Sequence, residues 1–352
     1  MGLRDNIRRV VPYTPGEQPK IKVIKLNTNE CPYPPSPRVI RALKEADYER
    51  LRLYPDPVCD GFVSALSEYY GVGKDQIFVG VGSDDVLSMC FMTFFNGDKP
   101  VLFPDITYSF YDVWAEVYRI PYRQLPLRED FSVDPEDYMG ENGGIVLANP
   151  NAPTGIAAGK EELERIIAGN PESVVIVDEA YIDFGGETCL PLINKYENLI
   201  VVRTMSKSRA MAGMRLGYAF GCPELIKYLN DVKFSVNSYT LNMPSLIAGA
   251  EAIRDGEYFG EITGRVRATR ERCKAELKKR GFEFADSMAN FIFARHPEYH
   301  AARIFEELKK RGIYVRYFNK PRIDEYLRIS IGTDEEMGAF LSALDEILPE
   351  VE

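Results

Sequence analysis

The segment "TMSKSRAMAGMRLGY" (204–218) sets two hydroxyls, Thr204 and Ser206, beside Lys207, with Arg215 further along. A lysine near other cations and partly shielded from water becomes a usable nucleophile and can form a Schiff base with a carbonyl. Hydroxyls and an arginine together can hold a phosphate. Taken alone, Lys207 also fits a solvated surface lysine.

Four other stretches invite the same question. "GVGSDD" (80–85) offers a glycine turn followed by Ser83 and Asp84. The free N–H groups of a helix starting there suit a phosphate, though Asp and Ser are also ordinary helix caps. The third glycine of a dinucleotide fingerprint is missing. "PDITYSFY" (104–111) carries Tyr108, which could stack on a flat ring or fill a core. "NPNAPTG" (149–155) is a rigid Pro/Gly loop able to present the Asn151 amide, or a plain turn. "VDEAYIDF" (177–184) ends an apolar run on Asp178, with Tyr181 three residues on. A carboxylate there is costly without a cation or a donor. A protonated ring nitrogen, a Mg²⁺ ion or a structural salt bridge would each answer it. A Walker-type G-x-x-x-x-G-K-[ST] is absent.

These stretches follow candidate strands at 77–82, 100–104, 144–150, 173–180 and 198–204. The strands are continuously apolar, as strands buried on both faces should be, and helical stretches separate them. The pattern predicts a doubly wound α/β domain, whose ligands gather beyond the carboxyl ends of the strands. The end of the chain alternates helices with "NFIFARH", "YVRYF" and "YLRISIG", which predicts a smaller α+β domain. The expected division is an N-terminal arm at 1–30, a large domain at 31–238 and a small domain at 239–352.

Composition narrows the chemistry. The net charge is -10, which argues against nucleic acid as a partner. No basic, apolar-cored leader and no membrane-spanning run is evident, so a cytoplasmic protein without membrane contact is expected. Six scattered cysteines without a C-x-x-C pair read as reduced thiols, and no metal site is expected. There are two histidines, His296 and His300, close together in one polar stretch, so if the chain is an enzyme a residue other than histidine is expected to move its protons.

"T-x-S-K-x(7)-R-x-G", "NPNAPTG", "VDEAY" and "GVGSDD", in this fold context, resemble the fold-type I pyridoxal-phosphate (PLP) aminotransferases. "LNTNECPYPP", "LYPDP", "ANFIFAR", "GIYVRYF" and "LRISIGT" make the chain similar, more narrowly, to histidinol-phosphate aminotransferases. The resemblance implies that Lys207 carries PLP and moves protons, that Asp178 pairs with the pyridine nitrogen, and that Tyr181 binds the ring oxygen. It implies that Tyr108 stacks on the ring, and that Ser83, Asp84, Thr204, Ser206 and Arg215 hold the cofactor phosphate. Tyr54 would reach the cofactor of a second subunit, so a homodimer is implied. Arg328 would clamp a substrate anion, with Arg316 and Tyr13 as further phosphate contacts. The implied substrates are a phosphorylated amino alcohol, histidinol phosphate, and glutamate/2-oxoglutarate. Aromatic amino-acid transamination and phosphothreonine decarboxylation are the alternatives on this scaffold. One departure stands out: relatives carry Asn directly before P-T-G, where this chain has Ala152. Asn151 is expected to take over that contact.

Overall fold

The computed structural model describes residues 2–350. In chain order it begins with β1 (Ile24–Lys25), α1 (Pro37–Glu45), α2 (Asp60–Tyr70), β2 (Ile77–Gly80), α3 (Ser83–Phe94), β3 (Val101–Pro104), α4 (Tyr111–Tyr118), β4 (Tyr122–Leu125) and β5 (Gly144–Ala148). It continues through α5 (Lys160–Gly169), β6 (Val175–Asp178), β7 (Leu199–Thr204), β8 (Gly217–Gly221), α6 (Pro223–Val236) and α7 (Met243–Arg254). It ends with α8 (Gly256–Lys279), β9 (Glu283–Phe284), β10 (Phe291–Arg295), α9 (Ala301–Lys310), β11 (Ile313–Tyr314), β12 (Arg316–Tyr317), β13 (Tyr326–Ser330) and α10 (Asp334–Ile347).

Seven strands form the large sheet in the order β2-β8-β7-β6-β5-β3-β4. The run from β7 through β6, β5 and β3 to β4 is parallel. Only β8 runs against its neighbours β2 and β7. The expected doubly wound, mostly parallel sheet is therefore present. Side chains alternate between faces along each strand. Ile145, Leu147, Val175, Val177, Leu199 and Val201 enter one core with α2, α5 and α7. Val146, Ile176, Ile200 and Val202 enter the other with α3, α4 and α6. Both faces are covered by helices, which is why the central strands run apolar up to their carboxyl ends. Each such fully buried branched side chain contributes ~1.5–3 kcal/mol.

The second sheet is antiparallel, in the order β12-β13-β10-β9, and packs under α8, α9 and α10. β1 pairs with β11 in parallel, and Leu26 joins this second core. The N-terminal stretch is thus tied to the small sheet. Helix α7 lies on α1 and α2, and its Ala248, Ala250, Ala252 and Ile253 belong to the large-sheet core. Among the described residues no helix is long and apolar enough to cross a membrane.

Candidate active site

The carboxyl ends of β2, β3, β5, β6 and β7 open on one cavity of about 170 Å³. Ser83, Asp84 and Tyr108 line it from the turns after β2 and β3. Asp178 and Tyr181 come from the end of β6 and the turn beyond it. Thr204, Ser206, Lys207 and Arg215 come from the end of β7 and its loop. Four separate strand ends therefore deliver expected groups to one place, as an open parallel sheet does, and the β5 end adds only Ala148 and Ala152.

Lys207 Nζ donates to the Thr28 carbonyl oxygen at 3.0 Å and stands 5.8 Å from the centre of the Tyr181 ring. Its loop is held by a hydrogen bond from the Ser208 hydroxyl to Asp183. A buried ion pair lies behind, where Arg203 Nη2 meets Glu179 Oε2 at 2.8 Å and ties the end of β7 to the turn after β6. One partner of such a pair cannot be removed without stranding the other charge.

Asp178 is 4% exposed. Burial pushes its carboxyl up to about 6. Tyr111 Oη donates to Oδ2 at 2.9 Å and the Ala180 N–H to Oδ1 at 3.2 Å, and both work against that rise. Among the described residues no cation pairs with Asp178. The arrangement suits a cationic ligand group placed against it.

The phosphate end is built from backbone. Helix α3 begins at Ser83 without a side-chain cap, so its first N–H groups face the cavity end with the positive helix terminus. By contrast α10 closes its start with a Thr333–Glu336 capping box. Gly82 has φ +84°, and a Cβ there would lie 2.6 Å from Arg215 Nη2. Gly217 of β8 passes so close to the same turn that a Cβ would meet the Ser83 nitrogen at 2.4 Å. Arg215 itself has φ +54°, which aims its side chain across the turn toward Asp84, 3.4 Å away.

Beside this cavity a larger one of about 800 Å³ lies under the N-terminal arm, lined among others by Tyr13, Thr107, Arg316 and Phe318. Tyr13 stacks on Phe110 with centroids 4.1 Å apart. Arg316 and Arg328 face each other across the β12–β13 pair. Arg328 Nη2 donates to the Asn27 carbonyl at 2.9 Å, while its buried Nε has no hydrogen-bond partner. Burial lowers the pKa of this guanidinium, and the charge of Arg316 pushes the same way. No carboxylate pairs with either arginine among the described residues. Two adjacent guanidiniums without a carboxylate partner, one with an unbonded Nε, have the chemistry that suits an anion.

A family model for aminotransferase class I and II matches residues 21–344. The chain belongs to that family. This aminotransferase is 51% identical over 346 residues to the histidinol-phosphate aminotransferase of Clostridium acetobutylicum, covering 98% of each chain. It is 49% identical over 349 residues to the protein of the same name from Lactococcus lactis subsp. cremoris, covering 99% of this chain and 98% of that one. Its fold matches the crystal structure of histidinol-phosphate aminotransferase from Sinorhizobium meliloti in complex with pyridoxal-5'-phosphate with a TM-score of 0.87, covering 94% of this chain and 92% of the other. That identity, 24%, speaks for the fold alone.

Two residues expected to touch the cofactor, Asn151 and Tyr54, do not line the cavity that holds Lys207. Asn151 does not line it: Nδ2 donates to the Ile106 carbonyl at 2.9 Å and to Thr154 Oγ1 at 3.1 Å, and Oδ1 accepts from Thr107 Oγ1 at 2.8 Å. Its amide holds the loop together, and the Ala152 methyl lines the cavity instead. The expectation that Asn151 replaces the missing amide is therefore corrected. Tyr54 is 81% exposed and stacks on Tyr239 with centroids 4.6 Å apart.

The structure also adds residues that the motifs did not single out. Tyr111 holds Asp178. Asn29, in the left-handed region at φ +57°, donates from Nδ2 to Tyr181 Oη at 3.0 Å. Thr28 and Glu30 line the cavity from the N-terminal side. Tyr108 is fixed by donating its hydroxyl to Asp84 Oδ1 at 2.8 Å.

Proposed function

We propose that this aminotransferase is a PLP-dependent, cytoplasmic histidinol-phosphate transaminase of histidine biosynthesis, a homodimer that uses glutamate/2-oxoglutarate as its second couple. The observation that carries the reading is the unpaired Arg316–Arg328 couple beside a cavity holding Lys207 and an unmatched Asp178. The amine, the carboxylate and the anion clamp are the three groups such a reaction requires. The two relatives that share about half of its residues bear the name of that activity.

The residues fit PLP. Asp178 lacks a cation that a pyridinium nitrogen provides. The uncapped start of α3, with Thr204, Ser206 and Arg215, offers a phosphate cradle. Bound there, PLP supplies an electron sink for the substrate carbon next to the amine. Lys207 would hold the cofactor carbonyl through Nζ and would move the proton at the substrate carbon. Ionised Asp178 would keep the ring nitrogen cationic. Tyr181, oriented by Asn29, would donate to the ring oxygen without an amide beside it, since position 152 is alanine. Arg316 and Arg328 bind the phosphate of one substrate and the carboxylate of the other. Tyr54 sits on a surface with exposed Leu51, Leu53 and Val58, which favours cover by a second copy.

Two half-reactions test the reading. The purified protein should be yellow, and its absorbance should bleach with histidinol phosphate and with glutamate. Bleaching by phenylalanine or tyrosine in place of histidinol phosphate would shift the substrate to an aromatic amino acid; a colourless protein that added PLP leaves unchanged would overturn the whole reading. The close approach at Gly217 gives a further expectation. Gly217→Ala should weaken PLP binding about 10- to 100-fold, since forcing a methyl into a packed contact costs ~1–3 kcal/mol. Cofactor retained after dialysis measures it.

A further inference from the structure

The phosphate of the proposed substrate is met by arginines and its reacting amine by Lys207. Its imidazole ring still needs a partner, and so far none of the side chains described meets it. The polar groups of the cavity are mostly engaged. Tyr108 donates to Asp84, Asp84 faces Arg215, and Asp178 is held from behind by Tyr111 and Ala180. Neither histidine lies near: His296 Nε2 pairs with the Arg280 carbonyl at 3.0 Å, and His300 caps α9.

Glu30 is the charged group of the cavity that the cofactor reading leaves without a role. It lines the cavity together with Thr28 and Lys207, and its side chain is 41% exposed. Lys25 Nζ and Thr28 Oγ1 both donate to it, and both bonds fall on Oε2. Oε1 is left to a ligand. Burial works to raise the pKa of this carboxyl, but the bonds from Lys25 and Thr28 and the charges of Lys25 and Lys207 outweigh it and hold the pKa below the usual value. The group is thus an oriented anion. Lys25 and Thr28 hold one oxygen, and no hydrogen bond within the described residues engages the other.

We propose that Glu30 is a specificity-determining residue whose Oε1 accepts the ring N–H of an imidazole-bearing amino phosphate, opposite the end held by Arg316 and Arg328. This rests on the substrate reading above. Glutamate has no ring donor to offer Glu30, and its carboxylates are repelled by a nearby anion. One carboxylate therefore favours one substrate and disfavours the other, which is how discrimination is commonly built.

The test compares the two half-reactions in Glu30→Gln and Glu30→Ala. A hydrogen bond to a charged group is worth about 10- to 100-fold in binding. The ratio of kcat/KM for histidinol phosphate to kcat/KM for glutamate should fall by that factor in Glu30→Ala, and by less in the isosteric Glu30→Gln. A second probe is the phosphate ester of phenylalaninol, which keeps the anion and lacks the ring N–H. The wild-type preference for histidinol phosphate over this ester should shrink in both variants, with retained PLP equal to wild type. Equal losses in both half-reactions would mean that Glu30 acts on Lys207 or the cofactor, and would overturn the proposal. So would an unchanged preference over the phenyl ester. A wild-type protein inert towards histidinol phosphate but active on aromatic amino acids would remove the substrate reading itself, and the assignment of Glu30 with it.

Discussion

Lys207→Ala is expected to lower turnover by at least about 10⁴-fold, combining the loss of the nucleophile with the loss of the general acid and base. No neighbour can substitute. Both histidines are engaged elsewhere, at the Arg280 carbonyl and at the start of α9. Tyr181 Oη accepts from Asn29, and the proposed reading commits its O–H to the ring oxygen. The amine of Lys207 is also placed with care: Nζ is held by the Thr28 carbonyl, and its loop is pinned through Ser208 and Asp183. A second readout separates this role from a structural one. Borohydride should fix the cofactor covalently on the wild-type chain, visible as a gain in mass, and should leave Lys207→Ala unlabelled. Lys207→Arg keeps the charge without the nucleophile and should behave like the alanine variant. Turnover within tenfold of wild type in either variant would show that another group moves the proton.

The positions of Lys207 and Asp178 were legible in the sequence because β6 and β7 are buried on both faces. A continuous apolar run that ends abruptly on Asp178 or Thr204 marks a strand end, and an open parallel sheet collects its strand ends at one site. Two strands escape that logic. β4 ("YRQL") is an edge strand with partly exposed positions, so it carries no apolar run. β8 ("GYAFG") is short, bounded by glycines and antiparallel, and its first two residues belong to the 204–218 segment, which reads as a loop. The supporting residues were hidden for a different reason. Tyr111 and Asn29 work through contacts 67 and 152 residues away in sequence, which no local pattern encodes. The substitution of Asn151 for a missing amide failed because neighbouring loop residues point to different sides. Asn151 turns to Ile106 and Thr154, and only Ala152 reaches the cavity. Glu30 lies within "LNTNECPYPP", a motif that carried the family likeness while giving its carboxylate no role.

Asp178→Asn is expected to cut kcat about 10²- to 10³-fold while PLP remains bound, the range seen when one preorganised electrostatic partner of a transition state is removed. The neutral amide cannot hold a proton on the ring nitrogen, so charge developing at the substrate carbon loses its sink. The same carboxylate burdens the protein without its cofactor. Its unfolded value is near 3.8 and its folded value about 6. Well below 3.8 the group is protonated in both states and adds nothing. Between about 4 and 6 the folded state holds the proton more tightly than the unfolded chain, so stability falls as pH rises. Above 6 the penalty is complete, on the order of 3 kcal/mol for a carboxyl lifted from 3.8 to about 6. Asparagine does not titrate. The difference in melting temperature between cofactor-free Asp178→Asn and wild type should therefore move in favour of the variant as pH rises from 4 to 6, and then level off. Tyr111 Oη can still donate to the amide oxygen, although Asn offers only one acceptor to the two donors that Asp178 satisfies, so part of the gain is offset. PLP should reverse the order, stabilising wild type more than the variant at pH 7, because only the carboxylate meets the pyridinium charge. A melting difference flat across pH 4–6 would mean that Asp178 is not the buried, cation-seeking acid on which the cofactor reading depends.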